Sequence, residues 1–181
     1  MPGRSAMEIS VRLLPARVDA LLRKYAAPAR LEAHLSIVHE VACVLTERVC
    51  AIWPILPIDT DAVALGAASH DIGKTLYPEE LNQPGNDHEE AGRGLLLENG
   101  WPEPLARFAV THGCDDTQRL QIEDLLVALA DKVWKGKRED VLEQALAQRI
   151  AAASGEELWE VWLRLDDILF EIAATAEERL L

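Results

Sequence analysis

Asp61 to Lys74 reads DAVALGAASHDIGK, and the rest of the chain is organised around it. Val63, Ala67 and His70 fall on one face at i, i+4 and i+7, the spacing of a helix. Ala62, Ala64, Gly66, Ala67, Ala68 and Ser69 keep its flanks small, so other helices can approach closely. Gly73 is a helix-stop signal. A histidine in the last turn suits the negative end of the helix dipole, but Asp71 beside it does not. A carboxylate that breaks a local rule its neighbours obey points to a functional site. A metal ion would resolve the conflict, since it takes imidazole and carboxylate together. The plainer reading is a surface His-Asp pair at a frayed helix end.

Helical spacing extends outward in both directions. Glu8 to Tyr25 reads as helix with a break or restart at Pro15. Arg30 to Ile52 follows Pro28 and carries the apolar stripe Leu31, Leu35, Val38, Ala42, Leu45 and Val49. Trp53-Pro54 ends it, and Asp59-Thr60-Asp61 offers capping residues for the central helix. Tyr77 to Gly85 is loop with one turn at Pro78 to Leu81. Asp87 and Glu90 have a capping-box-like spacing, and that helix stops at Asn99-Gly100. Pro102 to His112, Ile122 to Trp134, Arg138 to Ala152 and Glu156 to Leu180 complete the set. The last has a stripe of Leu158, Val161, Trp162, Leu165, Ile168, Leu169 and Ile172. No segment alternates as a strand would, so the fold class is all-α, a single-domain helical bundle.

Polar residues fall on these helices in a pattern. His112 shares a face with Leu105, Phe108 and Ala109; His88 with Ala91, Gly92 and Leu95; His34 with Leu31, Val38 and Val41. His39 lies on the other flank of the His34 helix, near Leu35 and Ala42. Each alone fits a satisfied core histidine, yet histidines on the apolar faces of several helices are explained better by convergence on one point. Asp131 interrupts the run Leu125 to Ala130 and shares its face with Val127 and Trp134. A buried carboxylate there needs a cation, either a basic side chain or a metal. Imidazole with carboxylate suits iron, manganese, cobalt or zinc. Beyond it stand Lys132, Lys135, Lys137 and Arg138, a basic cluster fit to bind substrate phosphates or to complement the helix end.

Bulk properties set the limits. The 181 residues are enough for one domain with a substantial core, and 49% are hydrophobic. A net charge of −13 argues against general nucleic-acid or anionic-membrane binding. Met1 to Ser10 lacks the apolar run of a signal peptide, and no stretch reaches a membrane span. Cys43, Cys50 and Cys114 include no CxxC and read as reduced thiols, so the expected location is cytoplasmic. Trp159 and Trp162 suit a dimer contact or a core position equally.

The order His34, His70-Asp71, His88, His112, Asp131, with HDIGK at 70–74 and Ala-Asp-Lys at 130–132, resembles the HD superfamily of metal-dependent phosphohydrolases. The likeness runs from about Ala29 to Lys137. It implies an all-helical bundle with a metal-binding core over 28–138, an N-terminal helical extension over 1–27, and C-terminal helices over 139–181 packed on the same domain. Carried over, His34, His70, Asp71 and Asp131 would hold a first divalent ion, magnesium being a further option, with His39 a rival for the first position. His88 and His112 match extra histidines of two-metal members. Gly113 stands where some of those members have a second adjacent histidine, so one ion is the base expectation and two are allowed.

The resemblance implies hydrolysis of a phosphate ester, monoester or diester, of a nucleotide or other small phosphorylated compound by metal-activated water. Asp71 would be ligand and, with two ions, bridge. Lys74 and Lys132 would offset charge on phosphorus, and Glu89 would deliver a proton to the leaving group. Other readings are a noncatalytic, metal-stabilised sensor that binds a nucleotide, and a purely structural helical protein.

Overall fold

In the computed structural model, which describes residues 12–179, helices and short turns account for every regular element, and no strand occurs among the described residues. The order is α1 (Ala16–Lys24), α2 (Ala29–Ile52), α3 (Thr60–Ser69), α4 (Asp87–Glu98), α5 (Glu103–Ala106), α6 (Phe108–Thr111), α7 (Ile122–Val133), α8 (Asp140–Ser154), α9 (Leu158–Ala174) and α10 (Ala176–Arg179). Two 3-10 turns, Ile72–Thr75 and Pro78–Leu81, bridge α3 and α4.

At the centre α2, α3 and α7 pack on one another. The 24 residues of α2 make a rod about 36 Å long at 1.5 Å per residue. Its stripe of Val38, Ala42, Leu45 and Val49 is fully buried. The side chain of Asp59 caps α3 by accepting from the Ala62 amide at 2.9 Å. The small flank expected of α3 receives Phe108: a Cβ on Gly66 would lie 2.5 Å from that ring. Seating Phe108 there brings His112, one turn on, toward the end of α3. α8 and α9 close the far side of the core, with Val161, Leu165 and Leu169 buried against it.

Several boundaries differ from the sequence reading, each for a local reason. α1 starts after Pro15, which supplies the extended entry to the helix; the part of the expected helix before residue 12 lies outside the described residues. The helix expected over Pro102 to His112 is divided at Arg107 into α5 and α6. The C-terminal helix breaks at Thr175. Leu158 is 46% exposed rather than part of the buried stripe, because it is the first residue of α9. Gly73 does not terminate α3 through a left-handed conformation. Positive φ among the described glycines occurs at Gly100, Gly136 and Gly155, whereas Gly73 sits within a 3-10 turn.

Arg138 was expected among the phosphate-binding residues, and the structure places it elsewhere. Its guanidinium grips Glu143 with two bonds of 2.7 Å and Asp166 with one of 2.6 Å, clamping α8 to α9. Glu143 is only 2% exposed. Replacing Arg138 with methionine leaves that carboxylate buried with the Glu139 amide at 3.0 Å as its remaining neighbour. The expected result is a loss of about 2 kcal/mol in urea unfolding, below the fully buried case because the arginine is partly exposed. Metal binding should not change.

Candidate metal centre

Five helices and one turn deliver six ligand-type side chains to one place. His34 comes from the second turn of α2, His70 from the end of α3 and Asp71 from the residue before the first 3-10 turn. His88 opens α4, His112 ends α6, and Asp131 lies in the last turn of α7. Asp71 is the hub. Its Oδ2 lies 3.1 Å from His34 Nε2 and 3.6 Å from His70 Nε2. Its Oδ1 lies 3.1 Å from His88 Nε2 and 3.4 Å from His112 Nε2. Asp131 Oδ1 adds contacts of 3.4 Å to His34 and 3.6 Å to His70. The result is two donor sets, one on each oxygen of a shared carboxylate.

These residues fit divalent ions. Nitrogen and oxygen ligands at about 2.0–2.2 Å from a tetrahedral ion lie about 3.3–3.6 Å from one another, close to the separations here. Three of the imidazoles have Nδ1 committed outward. His70 donates to the Ala67 carbonyl at 2.8 Å, His112 to the Phe108 carbonyl at 3.0 Å, and His88 to the Glu80 carboxylate. Each therefore turns an Nε2 lone pair inward, as a metal ligand must. Asp71 Oδ1 and His88 Nε2 are buried with no hydrogen-bond partner, a costly arrangement that an ion between them relieves.

The charge balance agrees. Burial by itself would lower the pKa of His34, but hydrogen bonds to Asp131 and Asp71 outweigh it and raise the value to about 9. Burial would likewise raise Asp71 and Asp131, yet the surrounding imidazoles hold both well below the ordinary carboxylate range. Burial pushes His70 down, toward the neutral, ligating form. A cluster this rich in carboxylate thus draws positive charge onto itself, and a divalent ion meets that demand.

His39, the rival for the first position, faces Cys43 Sγ at 3.7 Å and lies apart from both donor sets. Lys74 and Lys132 sit at the rim, bonded to Asp71 Oδ2 at 2.7 Å and Asp131 Oδ2 at 2.9 Å. They line an open cavity of about 620 Å³ over the cluster, together with Lys135 and Glu89. Lys137, also expected in the phosphate-binding group, pairs with Glu139 at 2.5 Å and is not part of that wall. Gly113 adjoins Glu89: a Cβ at 113 would lie 2.4 Å from Glu89 Oε1, the free end of a side chain able to turn aside, so the two residues share this edge of the cavity.

Glu80 escaped the sequence reading. Besides holding His88 Nδ1, it accepts from the amides of Asp87 at 3.1 Å and His88 at 3.4 Å, and so caps α4 from outside. Asn86, the residue before α4, makes no side-chain cap, and the capping box expected of Asp87 and Glu90 does not form. The available signal was an acid on a proline-led turn upstream of a candidate ligand. Glu80→Ala is expected to weaken metal binding at the His88 and His112 set by roughly 10–100-fold in a metal titration, the usual cost of losing an orienting partner. Binding at the His34 set should be far less affected.

Residues 33–134, more than half of the chain, match the family model described as HD domain. Among solved structures, the HD domain of the L. monocytogenes phosphodiesterase PgpH, in complex with cyclic-di-AMP, is similar with a TM-score of 0.58. The two are 16% identical, and the match covers 91% of this chain and 97% of that one. At that identity the likeness is one of fold. No curated protein matches the chain.

Proposed function

The chain belongs to the HD domain family, and on that premise we propose that it is a metal-dependent phosphohydrolase, cleaving a phosphate ester of a nucleotide or other small phosphorylated compound. The observation that carries the reading is Asp71, whose two oxygens each face a separate set of inward-turned imidazoles beneath a cation-rimmed cavity. His34, His70, Asp71 and Asp131 would hold one ion, and Asp71, His88 and His112 a second. When bound, such ions supply Lewis acidity, lowering the pKa of a water and polarising a phosphoryl oxygen.

The remaining work falls to this chain's own side chains. Lys74 and Lys132, anchored by the metal-binding carboxylates, are placed to bind phosphoryl oxygens and offset their growing charge. Glu89, seated against Gly113 at the same cavity, is the group placed to pass a proton to the leaving oxygen. Glu80 keeps His88 in the ligating tautomer.

The test is phosphate or nucleoside release from a panel of nucleotides, cyclic dinucleotides and simple phosphate esters with manganese, cobalt, iron, zinc or magnesium. Turnover that needs the metal and stops with chelator is the expected result. Stoichiometric metal binding with no turnover across the panel would overturn it in favour of a binding module.

A further inference from the structure

The cavity is more basic than the metal chemistry requires. In a chain with 31 acidic and 18 basic residues, five of the basic residues and three of the acidic ones line this single space. Lys74 and Lys132 belong to the metal carboxylates. Arg30, Lys135 and Arg179 do not: among the described residues none of these three has a carboxylate within ion-pair distance, and all three lie outside the segment that matches the family.

Trp134 ties two of them to the metal cluster. Its indole packs edge-on against His34 with centroids 5.6 Å apart, and Lys135 Nζ stands 5.8 Å from the indole centroid. The Trp134 carbonyl accepts from Arg179 Nη1 at 3.4 Å. Arg179 also donates to the Ile172 carbonyl at 3.0 Å and to Thr175 Oγ1 at 2.6 Å. All of these partners are neutral oxygens, so the guanidinium charge is positioned but not neutralised, while Glu40 and Glu178 act on it only from farther away. Arg30 stands one helical turn before His34 and is steadied by Asn82 Oδ1. Three cations from three separate segments thus face one cavity beside the metal cluster.

We infer that Arg30, Lys135 and Arg179 form a second anion subsite, so that the substrate class is a small molecule bearing a further phosphoryl group beyond the one at the metals. The inference rests on the phosphohydrolase reading for which phosphate is cleaved, but the subsite itself is a binding property. A substrate with two phosphoryl groups bridges the two positions; a simple monophosphate fills one.

Calorimetry on the manganese-loaded protein tests this with AMP and adenosine 3′,5′-bisphosphate. Wild type should bind the bisphosphate at least ~10-fold more tightly, the scale of one added charge-assisted contact. Lys135→Gln combined with Arg179→Gln should collapse that ratio toward about one, whereas Lys132→Gln should weaken both probes alike. Arg30→Gln, remote from the Arg179 contacts to α9, should lower the ratio in the same direction if the double variant folds poorly. Equal binding of the two probes by wild type overturns the inference. So does an equal loss for both in the double variant, which would make the cations a general attraction. A preserved preference without any turnover would sink the hydrolase reading alone.

Discussion

Replacing Asp71 with alanine is expected to lower metal-dependent phosphate release by roughly 10³-fold or more while leaving a folded, helical protein. Asp71 is the one side chain common to both donor sets, and its carboxylate is 4% exposed. Substitution at Asp131 removes a ligand from the His34 side, and substitution at His112 one from the His88 side; only Asp71 disables both. The fold should survive because the partners left behind can adapt. His34 carries its raised pKa through Asp131 and Asp71 and can shed its proton, and Lys74, 18% exposed, can turn to water. The variant should therefore melt within about 2 kcal/mol of metal-free wild type.

Metal loading gives an independent readout. At a hundredfold excess over Kd, a bound ion stabilises wild type by about 2.7 kcal/mol, or roughly 5–10 °C for a chain of this size. Asp71→Ala should show almost none of that shift, and elemental analysis should find little retained metal. A folded Asp71→Ala protein with wild-type turnover would remove the basis of the proposed function.

Residues that break a local rule were the legible ones. Asp71 at a helix end and Asp131 inside an apolar run each conflict with their surroundings, so a single sequence exposes them. The histidines were legible because they share faces with apolar residues on regular helices. What escaped has no period to betray it. Glu80 reaches His88 from a 3-10 turn, and Arg179 reaches the cavity after the helix break at Thr175. In the basic cluster, adjacency in sequence is not adjacency in space. α7 ends at Val133, and Gly136, with φ of 80°, turns the chain. Lys135 stays at the cavity, while Lys137 turns to Glu139 and Arg138 to the α8–α9 clamp.

Gly73 carries the second large effect, and it joins fold to site. A Cβ at this position would lie 1.9 Å from the His88 carbonyl oxygen, 2.6 Å from the Gly92 nitrogen and 2.9 Å from its Cα. These are backbone atoms of α4, which cannot rotate aside as a side chain would. Gly73→Ala must force the turn at Ile72–Thr75 away from α4, at an expected cost of at least about 3 kcal/mol in chemical unfolding. Any protein that still folds should lose the His88 side of the metal centre first. That separation carries His88 Nε2 away from Asp71 Oδ1, now 3.1 Å distant, while His34, His70 and Asp131 stay on other elements. Metal titration of the variant should accordingly retain binding on the His34 side alone. Gly94, inside the same helix with nothing within 4 Å of its would-be Cβ, is the control. Alanine there should be neutral or stabilise by roughly 0.5–1 kcal/mol, through helix propensity. If Gly73→Ala unfolds like Gly94→Ala, close backbone approach is not what positions His88.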